Sequence, residues 1–371
     1  MFFEIIPDGT HIDFIGKRRI AFAVSGLVVL AGVLAVPLQG VRMGIDFAGG
    51  TEVQVRFQDA SVGEGAIREV AGACGIGDPS VVRYGETEAA EFLVRFRSDT
   101  ASTAASRDDT RCVLTPEQTA RLAAVDEATG ADAESDGAAS LVDRFTQALG
   151  NTIGPLEVER VEYVGPRVGS ELREDGLKAM LIACLLILVY IAFRFSTRFA
   201  PGAVLALVHD VLITAGIFVL FELEFDLRVL AALLAIMGYS LNDTIIIYDR
   251  IRENMALRTK HDLIEVLNLS VNQTLSRTLI TSGTTLIAVL ALLLVGGEVI
   301  WPFALAMTIG IVVGTYSSVY IAAPTLLFLE NRLDAGDAAQ SSGARGAAAQ
   351  PQSPNRKSRQ KSVGKKSRAR A

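Results

Sequence analysis

Cysteine and histidine are scarce in this chain of 371 residues, with three of each. Cys74, Cys112 and Cys184 are too few for a disulfide framework or a cysteine-rich zinc site, and the sequence leaves open whether Cys74 and Cys112 pair. His11, His209 and His261 stand far apart, so they make no paired metal-ligand spacing, and no H-E-x-x-H occurs. A G-x-x-x-x-G-K-[ST] loop is missing, and Gly75-Ile76-Gly77 lacks the third glycine and following helix of a dinucleotide fingerprint. Charge is also low, at 20% of residues against roughly 25% in soluble domains. With 50% apolar residues and a mean hydropathy of +0.37, disorder over most of the chain is excluded. An ordinary soluble enzyme, an ATP-driven pump and a membrane metalloprotease are all disfavoured.

The chain does have long apolar runs: Ile20–Pro37, Leu177–Phe193, Ala203–Phe221, Val229–Tyr248, Leu279–Val295 and Pro302–Leu329. A membrane-spanning helix needs roughly 17–25 residues. One such run could be a buried core helix, but five of the six crowd into Leu177–Leu329 with little soluble chain between them. The first run is longer than the apolar part of a signal peptide, and its lead-in carries Glu4, Asp8 and Asp13, so it reads as a retained helix. Lys and Arg set the orientation. Lys17, Arg18 and Arg19 precede the first span, and Arg194 and Arg198 lie between the second and third. Arg250, Arg252, Arg258, Lys260 and Arg277 lie around the fourth and fifth, whereas Glu222–Arg228 has one base and Gly296–Trp301 none. This pattern puts both termini in the cytoplasm and residues 38–176 outside it. Residues 38–176 hold 25 acids and 13 bases, and residues 329–371 hold 3 acids and 10 bases.

The expected layout is a cytoplasmic N-terminus (1–19), a first span (20–37), an extracytoplasmic α+β ferredoxin-like domain (38–176), spans two to six (177–329) and a disordered basic cytoplasmic tail (330–371). In the α+β segment, Val53, Val55 and Phe57 alternate with Glu52, Gln54 and Arg56 over Thr51–Phe57, which is the period of a half-buried strand. A helix follows at Ser61–Ala73 and a strand pair at Val81–Tyr84 and Phe92–Phe96. Helices are expected at Pro116–Val125 and Ala139–Leu149, and a last strand at Ile153–Val164. The order β-α-β-β-α-β is the ferredoxin-like signature. Ser98–Arg111 and Thr129–Gly137, rich in Ala, Asp, Ser and Thr, read as surface insertions or long loops. The tail is low-complexity Ala, Ser, Gln and Arg and is expected to be disordered. Its run Arg356–Arg370 holds eight Lys or Arg, suited to anionic membrane lipid rather than to nucleic acid.

The candidate functional residues are ionisable groups inside apolar runs, where they are costly unless paired or hydrated. Asp243 lies in the fourth run among Gly238, Ser240, Asn242 and Thr244, small and polar neighbours that suit a helix packed inside a bundle. Asp210, with His209 beside it, lies in the third run, and Arg277 opens the fifth. A carboxylate in low dielectric holds its proton tightly, and a nearby Arg loosens that hold. Asp243, Arg277 and Asp210 can therefore form a proton relay. The alternatives are a static Asp–Arg pair pinning two helices, or a snorkelling Arg277. Asp249 reads as a helix-end charge. Asp210 and Asp243 could also make an intramembrane aspartyl-protease dyad, but the G-x-G-D run is absent. Gly310 and Gly314 form a G-x-x-x-G suited to close helix approach, within the chain or with a partner. Gly165, Pro166 and Gly169, before the second run, suit a hinge.

Several of these stretches together resemble a known family. Gly44-Ile45-Asp46-Phe47-Ala48-Gly49-Gly50-Thr51 and Val164-Gly165-Pro166-Arg167-Val168-Gly169 are similar to the paired signatures of the SecD/SecF export proteins. His209-Asp210 fits as well. Ala235–Thr244, Asp249–Asn254 and Ser276–Thr281 resemble the SecF branch of that family. The resemblance covers about residues 10–330. It implies a six-span, RND-like subunit of the cytoplasmic (inner) membrane, which is not an enzyme and needs no cofactor beyond the proton gradient. Such a subunit pairs with SecD beside the SecYEG channel, with YajC and YidC as further partners, and acts on unfolded preprotein using the proton-motive force. It also implies proton transport by Asp243 and Arg277. The alternative is half of an RND-type exporter of lipids or small molecules.

Overall fold

The structure, a computed structural model, describes residues 10–77, 79–84, 90–96, 133–195, 197–257 and 262–330. The insertion at Ser98–Arg111, the helix expected at Pro116–Val125 and the tail beyond Glu330 lie outside these residues. Among the described residues, six helices are long and apolar enough to cross a membrane. They are α1 (Arg18–Gln39), which follows a 3-10 turn at Ile15–Lys17, α5 (Pro166–Arg194), α6 (Ala200–Leu220), α7 (Leu227–Leu257), α8 (Leu263–Val295) and a sixth helix, Trp301–Glu330. The first part of the sixth, α9 (Trp301–Ser317), runs into a π-helical turn at Ser318–Ala322. Each expected run matches one of these helices, with Phe221 at the end of the third run standing as the C-cap of α6, but two helices begin far ahead of their runs. Helix α5 starts eleven residues before Leu177, so the end of the segment expected as domain is already helical. Helix α8 starts at Leu263, sixteen residues before Leu279, with Asp262 accepting from the Ile264 amide at its N-cap. Hydropathy marks only the part of a helix that is apolar all round, while the backbone ladder continues through amphipathic turns.

The α+β domain follows the expected order. It comprises β1 (Gly50–Phe57), α3 (Glu64–Ala73), β2 (Ser80–Tyr84), β3 (Glu91–Phe96), α4 (Ala133–Thr152) and β4 (Leu156–Val164), with a single-turn α2 (Ile45–Ala48) before β1. The antiparallel sheet has the order β2-β3-β1-β4. Val53, Val55 and Phe57 point inward as the alternation predicts, onto Ile67 and Val70 of α3 and Phe145 and Leu149 of α4. Glu52, Gln54 and Arg56 lie on the other face, where Arg56 pairs with Glu91 and Glu159 and Arg95 with Glu52. The stretch Thr129–Gly137, expected as loop, is helical from Ala133 onward, because α4 extends six residues further back than its apolar face requires. Cys74 is disulfide-bonded, Cys184 is free, and Cys112 lies outside the described residues.

The two glycine-containing signatures meet at the base of this domain. Gly49 adopts φ +77°, and a Cβ there would lie 2.7 Å from the Pro166 Cα. A Cβ on Gly169 would lie 2.9 Å from the Gly49 amide nitrogen and 3.1 Å from the Phe47 carbonyl carbon. Gly165 is the extended N-cap of α5 and Pro166 opens its first turn, where a missing amide hydrogen costs nothing. The region expected as a hinge is thus a packed elbow in this conformation: Gly169 is buried inside a helix and permits contact rather than torsional freedom. Gly49→Ala forces an L-residue into a positive-φ extended conformation that essentially only glycine adopts, at about 1–3 kcal/mol, and adds the overlap with Pro166. It is expected to lower the thermal unfolding midpoint of the detergent-solubilised protein. Gly238→Ala, which meets open space on α7, is expected to leave the midpoint unchanged or raise it. Equal effects of the two substitutions would contradict this reading of the elbow.

Candidate functional site

Close helix approach builds the site. Where α9 crosses α7, a Cβ on Gly310 would lie 2.3 Å from Ile236 side-chain carbons, and one on Gly314 would lie 2.9 Å from the Ser240 Cβ. The G-x-x-x-G is therefore spent on packing within the chain. Gly202 similarly admits Tyr248, whose hydroxyl donates to the Ala322 carbonyl at 3.1 Å in the π-helical turn. Small side chains at these crossings bring hydroxyls from three helices within reach of the two carboxylates.

Asp210 on α6 is fully buried. Its Oδ1 pairs with His209 Nδ1 at 2.9 Å, and its Oδ2 accepts from Ser240 Oγ at 2.5 Å and Ser317 Oγ at 2.9 Å. Asp243 on α7 is 1% exposed and accepts from Ser282 Oγ of α8 at 3.0 Å. Thr315 of α9 donates to that same Ser282 oxygen at 2.8 Å. Thr244 and Ser318 share a further bond of 2.9 Å. Ser240 and Asp243 are three residues apart and lie on one face of α7, so the Asp210 and Asp243 groups form neighbouring halves of one polar cluster. The carboxylates use separate hydroxyl partners and no bond joins them, which is not the shared-proton geometry of an aspartyl dyad. Among the described residues five buried side-chain polar atoms lack a hydrogen-bond partner: Gln147 Oε1 of the α+β domain, and in the helical bundle Asp243 Oδ1, His209 Nε2, Thr214 Oγ1 and Thr278 Oγ1. The last four come from α6, α7 and α8, and they give the cluster acceptor and donor capacity that the fold itself leaves unused.

Of the residues singled out in the sequence, Asp210, Ser240 and Asp243 meet here, with His209 and Thr244. Asn242 and Gly238 do not. Both are exposed on the outer face of α7, in a stripe of small residues with Ala231 and Ala235. Arg277 lies near the middle of α8 rather than at its start, because the helix begins at Leu263. Its side chain is exposed, and its charge acts on Asp243 without a direct bond. The sequence reading met Thr278 only as a neighbour of Arg277, and passed over Thr214, Ser282, Thr315, Ser317 and Ser318. Their signal was present as hydroxyl residues interrupting apolar runs, Ser317-Ser318 most visibly. No group of three or more metal-ligating side chains occurs among the described residues.

The signature Gly44–Thr51 sits at the far end of α7. The Gly44 amide donates to the Phe225 carbonyl and the Phe225 amide to the Arg42 carbonyl, both at 2.7 Å, with Met43 and Phe225 in a parallel bridge. Asp46 Oδ2 accepts from the Leu227 amide at 2.9 Å, capping the first turn of α7. Phe47 is buried, Gly50 and Thr51 begin β1, and Asp226 Oδ1 accepts from the Val229 amide at 2.9 Å. Arg95 of β3 reaches down to Glu224 at 2.9 Å, and Arg42 pairs with Glu222. The domain is thereby bonded to the chain just ahead of α7, and Asp243 lies at the seventeenth of that helix's 31 residues.

Asp210→Ala strands the Ser240 and Ser317 hydroxyls in the bundle and is expected to cost about 1–2 kcal/mol in denaturation of the detergent-solubilised protein. Asp243→Asn keeps an acceptor for Ser282 and is expected to stay within about 0.5 kcal/mol of wild type. The reverse order would contradict the assignment of Asp210 as the better-satisfied group.

Residues 145–332 match the family model "Protein export membrane protein SecD/SecF, C-terminal", and residues 35–61 match the "SecD/SecF GG Motif". The chain is 40% identical over 332 residues to the protein translocase subunit SecF of Calditerrivibrio nitroreducens, covering 89% of this chain and 98% of that protein. It is 40% identical over 319 residues to SecF of Pseudomonas aeruginosa, covering 86% and 91%. Its structure is similar to that of SecDF, a translocon-associated membrane protein from Thermus thermophilus, with a TM-score of 0.68 and 34% identity over 87% of this chain. It is also similar to SecDF in a super-membrane-facing form, with a TM-score of 0.62 and 34% identity over 91% of this chain. The chain spans 39% and 41% of those two longer chains. By its family models and these relatives, the chain belongs to the SecD/SecF family of protein-export membrane proteins, on the SecF branch.

Proposed function

We propose that this chain is the SecF half of a SecD–SecF unit that uses the proton-motive force to assist preprotein translocation at the Sec channel. Both termini face the cytoplasm and the α+β domain lies outside it. The distribution of Lys and Arg supports this orientation, and so does the disulfide at Cys74, a bond that persists in oxidising compartments. SecD covers the exposed Ala231–Ala235–Gly238–Asn242 stripe of α7, where small side chains allow close helix approach. Arg277, exposed beside that face, works at the joint between the two halves.

The observation that carries the reading is that α7 holds both ends of the coupling. Asp243 sits mid-helix among buried hydroxyls, and the helix N-terminus is tied to the elbow through Asp46 and Gly44. A proton taken up at Asp243 Oδ1 removes a charge from the bundle, and with it the attraction that holds Arg277 toward α7. Helix α7 then resettles against α8 and α9. Because the Leu227 amide and the Phe225 carbonyl are bonded to the Gly44–Thr51 signature, that shift reaches the base of the α+β domain without passing through a flexible loop. The domain, bonded to the same segment through Arg95 and Glu224, moves against a preprotein emerging from the channel.

Asp243→Asn is expected to abolish the stimulation of reporter export by the proton-motive force while SecD still copurifies. Arg277→Lys is expected to retain part of the stimulation and Arg277→Ala to lose it, since a cation rather than a planar fork is required. Asp46→Ala is expected to separate the two halves of the process, with proton flux through the reconstituted unit kept and export stimulation reduced at least severalfold. Normal stimulation in Asp243→Asn, or parallel loss of flux and export in Asp46→Ala, would overturn the assignment.

A further inference from the structure

An apolar cavity of about 350 Å³ opens between α1, α5, α6 and α7, at the small end of the roughly 300–1,000 Å³ range of ligand pockets. Two glycine contacts create it. Helices α1 and α6 touch at Gly32 and Gly216, where a Cβ on Gly32 would lie 2.7 Å from the Gly216 Cα. Helices α5 and α7 close at Gly176, where a Cβ would lie 2.6 Å from Leu230. Between these contacts the four helices splay apart. Val36, Leu177 and Leu212 line the opening and belong to membrane runs, so the medium outside it is hydrocarbon. Met43, Phe47 and Phe225 of the elbow also line the cavity.

Arg173 is the one charged residue in this lining. It stands one helical turn before Leu177, where the apolar run of α5 begins, and its side chain is exposed. It has no hydrogen-bond or ion-pair partner among the described residues. Its acidic neighbours on α5 are already engaged: Glu174 and Asp175 with Lys178, and Glu171 with Arg167. An unpaired guanidinium at the rim of a greasy cavity, where a span meets the interface, is complementary to one molecule that a membrane supplies in excess. The guanidinium matches a phosphate, and the cavity matches hydrocarbon.

We infer that this cavity holds an acyl chain of a phospholipid from the leaflet on the side of the α+β domain, with Arg173 on the lipid phosphate. The site is separate from the proton cluster and does not depend on it. Its occupant touches Phe47 and Phe225, on either side of the bonds that tie Gly44 to the chain ahead of α7, so a bound lipid braces the elbow from the membrane side.

The test uses the full-length protein in nanodiscs containing either of two photoreactive probes. One is a phosphatidylglycerol with a diazirine near the end of one acyl chain, and the other is the matching diacylglycerol without phosphate. Labelled peptides are mapped by mass spectrometry. In the wild type, both probes are expected to label the cavity segments around Met43, Met180 and Leu212 above the other lipid-facing segments. Arg173→Gln is expected to lower phosphatidylglycerol labelling there about fivefold and leave diacylglycerol labelling unchanged. Val36→Trp, which fills the cavity from its lipid side, is expected to lower both. Labelling spread evenly over the helices and indifferent to Val36→Trp would mean annular lipid only, and would overturn the proposal. So would equal loss of both probes in Arg173→Gln. Shielding of the cavity from both probes when SecD is present would identify a protein occupant and overturn it as well.

Discussion

A carboxylate placed among membrane helices has no water to solvate it, and the protein must supply every compensating contact. This constraint shapes the bundle. Asp210 is met by a histidine and two serine hydroxyls from three helices, and Asp243 by Ser282, which Thr315 orients in turn. Those hydroxyls reach the carboxylates because Gly310 and Gly314 let α9 approach α7 closely, against Ile236 and Ser240. The π-helical turn after Ser317 belongs to the same solution. An extra residue in the turn shifts the register of the sixth helix between Ser317, which serves Asp210, and Ala322, whose carbonyl serves Tyr248. The two carboxylates differ in how far the fold satisfies them. Both Asp210 oxygens are bonded, whereas one Asp243 oxygen is not. Asp210 is thus the carboxylate the hydroxyls close around, and Asp243 is the one with an acceptor the described residues leave unused.

The second constraint is mechanical. In the proposed function, work done on a chain outside the membrane begins with a proton inside it, and the link between them must be stiffer than a loop. Helix α7 is the element that can serve as that link. From Leu227 to Asp243 it rises about 24 Å at 1.5 Å per residue, and its N-terminus is capped by Asp46 from the signature that also starts β1. Gly49 and Gly169 then press that signature against α5. The signature residues thus do three different jobs. Gly44 and Asp46 bind the start of α7, Gly49 and Gly169 permit contact with α5, and Phe47 is buried at the elbow and lines the cavity beneath it.

Much of this was legible in the sequence, for identifiable reasons. Alternation in Thr51–Phe57 gave the central strand and its inward face, because a sheet with one packed face imposes a period of two. Long apolar runs located all six spans, and Asp210 and Asp243 stood out because charge inside such runs is rare. Asn242 and Gly238 shared the neighbourhood of Asp243 in sequence but not in space: a helix turns about 100° per residue, and these two sit on the outer face. Arg277 was displaced from a helix start to a helix middle because residues 263–276 form amphipathic helix, apolar on one face only, which hydropathy does not mark as a span. The hydroxyl partners went unseen because Ser and Thr are unremarkable one at a time and become a site only when four helices converge. The elbow needed coordinates most of all, since nothing in the sequence says that Gly49 and Gly169, 120 residues apart, touch.

The claim on which the account rests is that the charge state of Asp243 is felt at the elbow through α7. The direct measurement is amide hydrogen exchange at Gly44 and Leu227, whose hydrogens are bonded to Phe225 and Asp46. It is made in the reconstituted unit over a range of pH and corrected for intrinsic exchange. The account predicts that protection of these two amides changes with pH in the wild type and becomes independent of pH in Asp243→Asn. The same pH response in both proteins would show that the elbow does not sense Asp243, and would contradict the account.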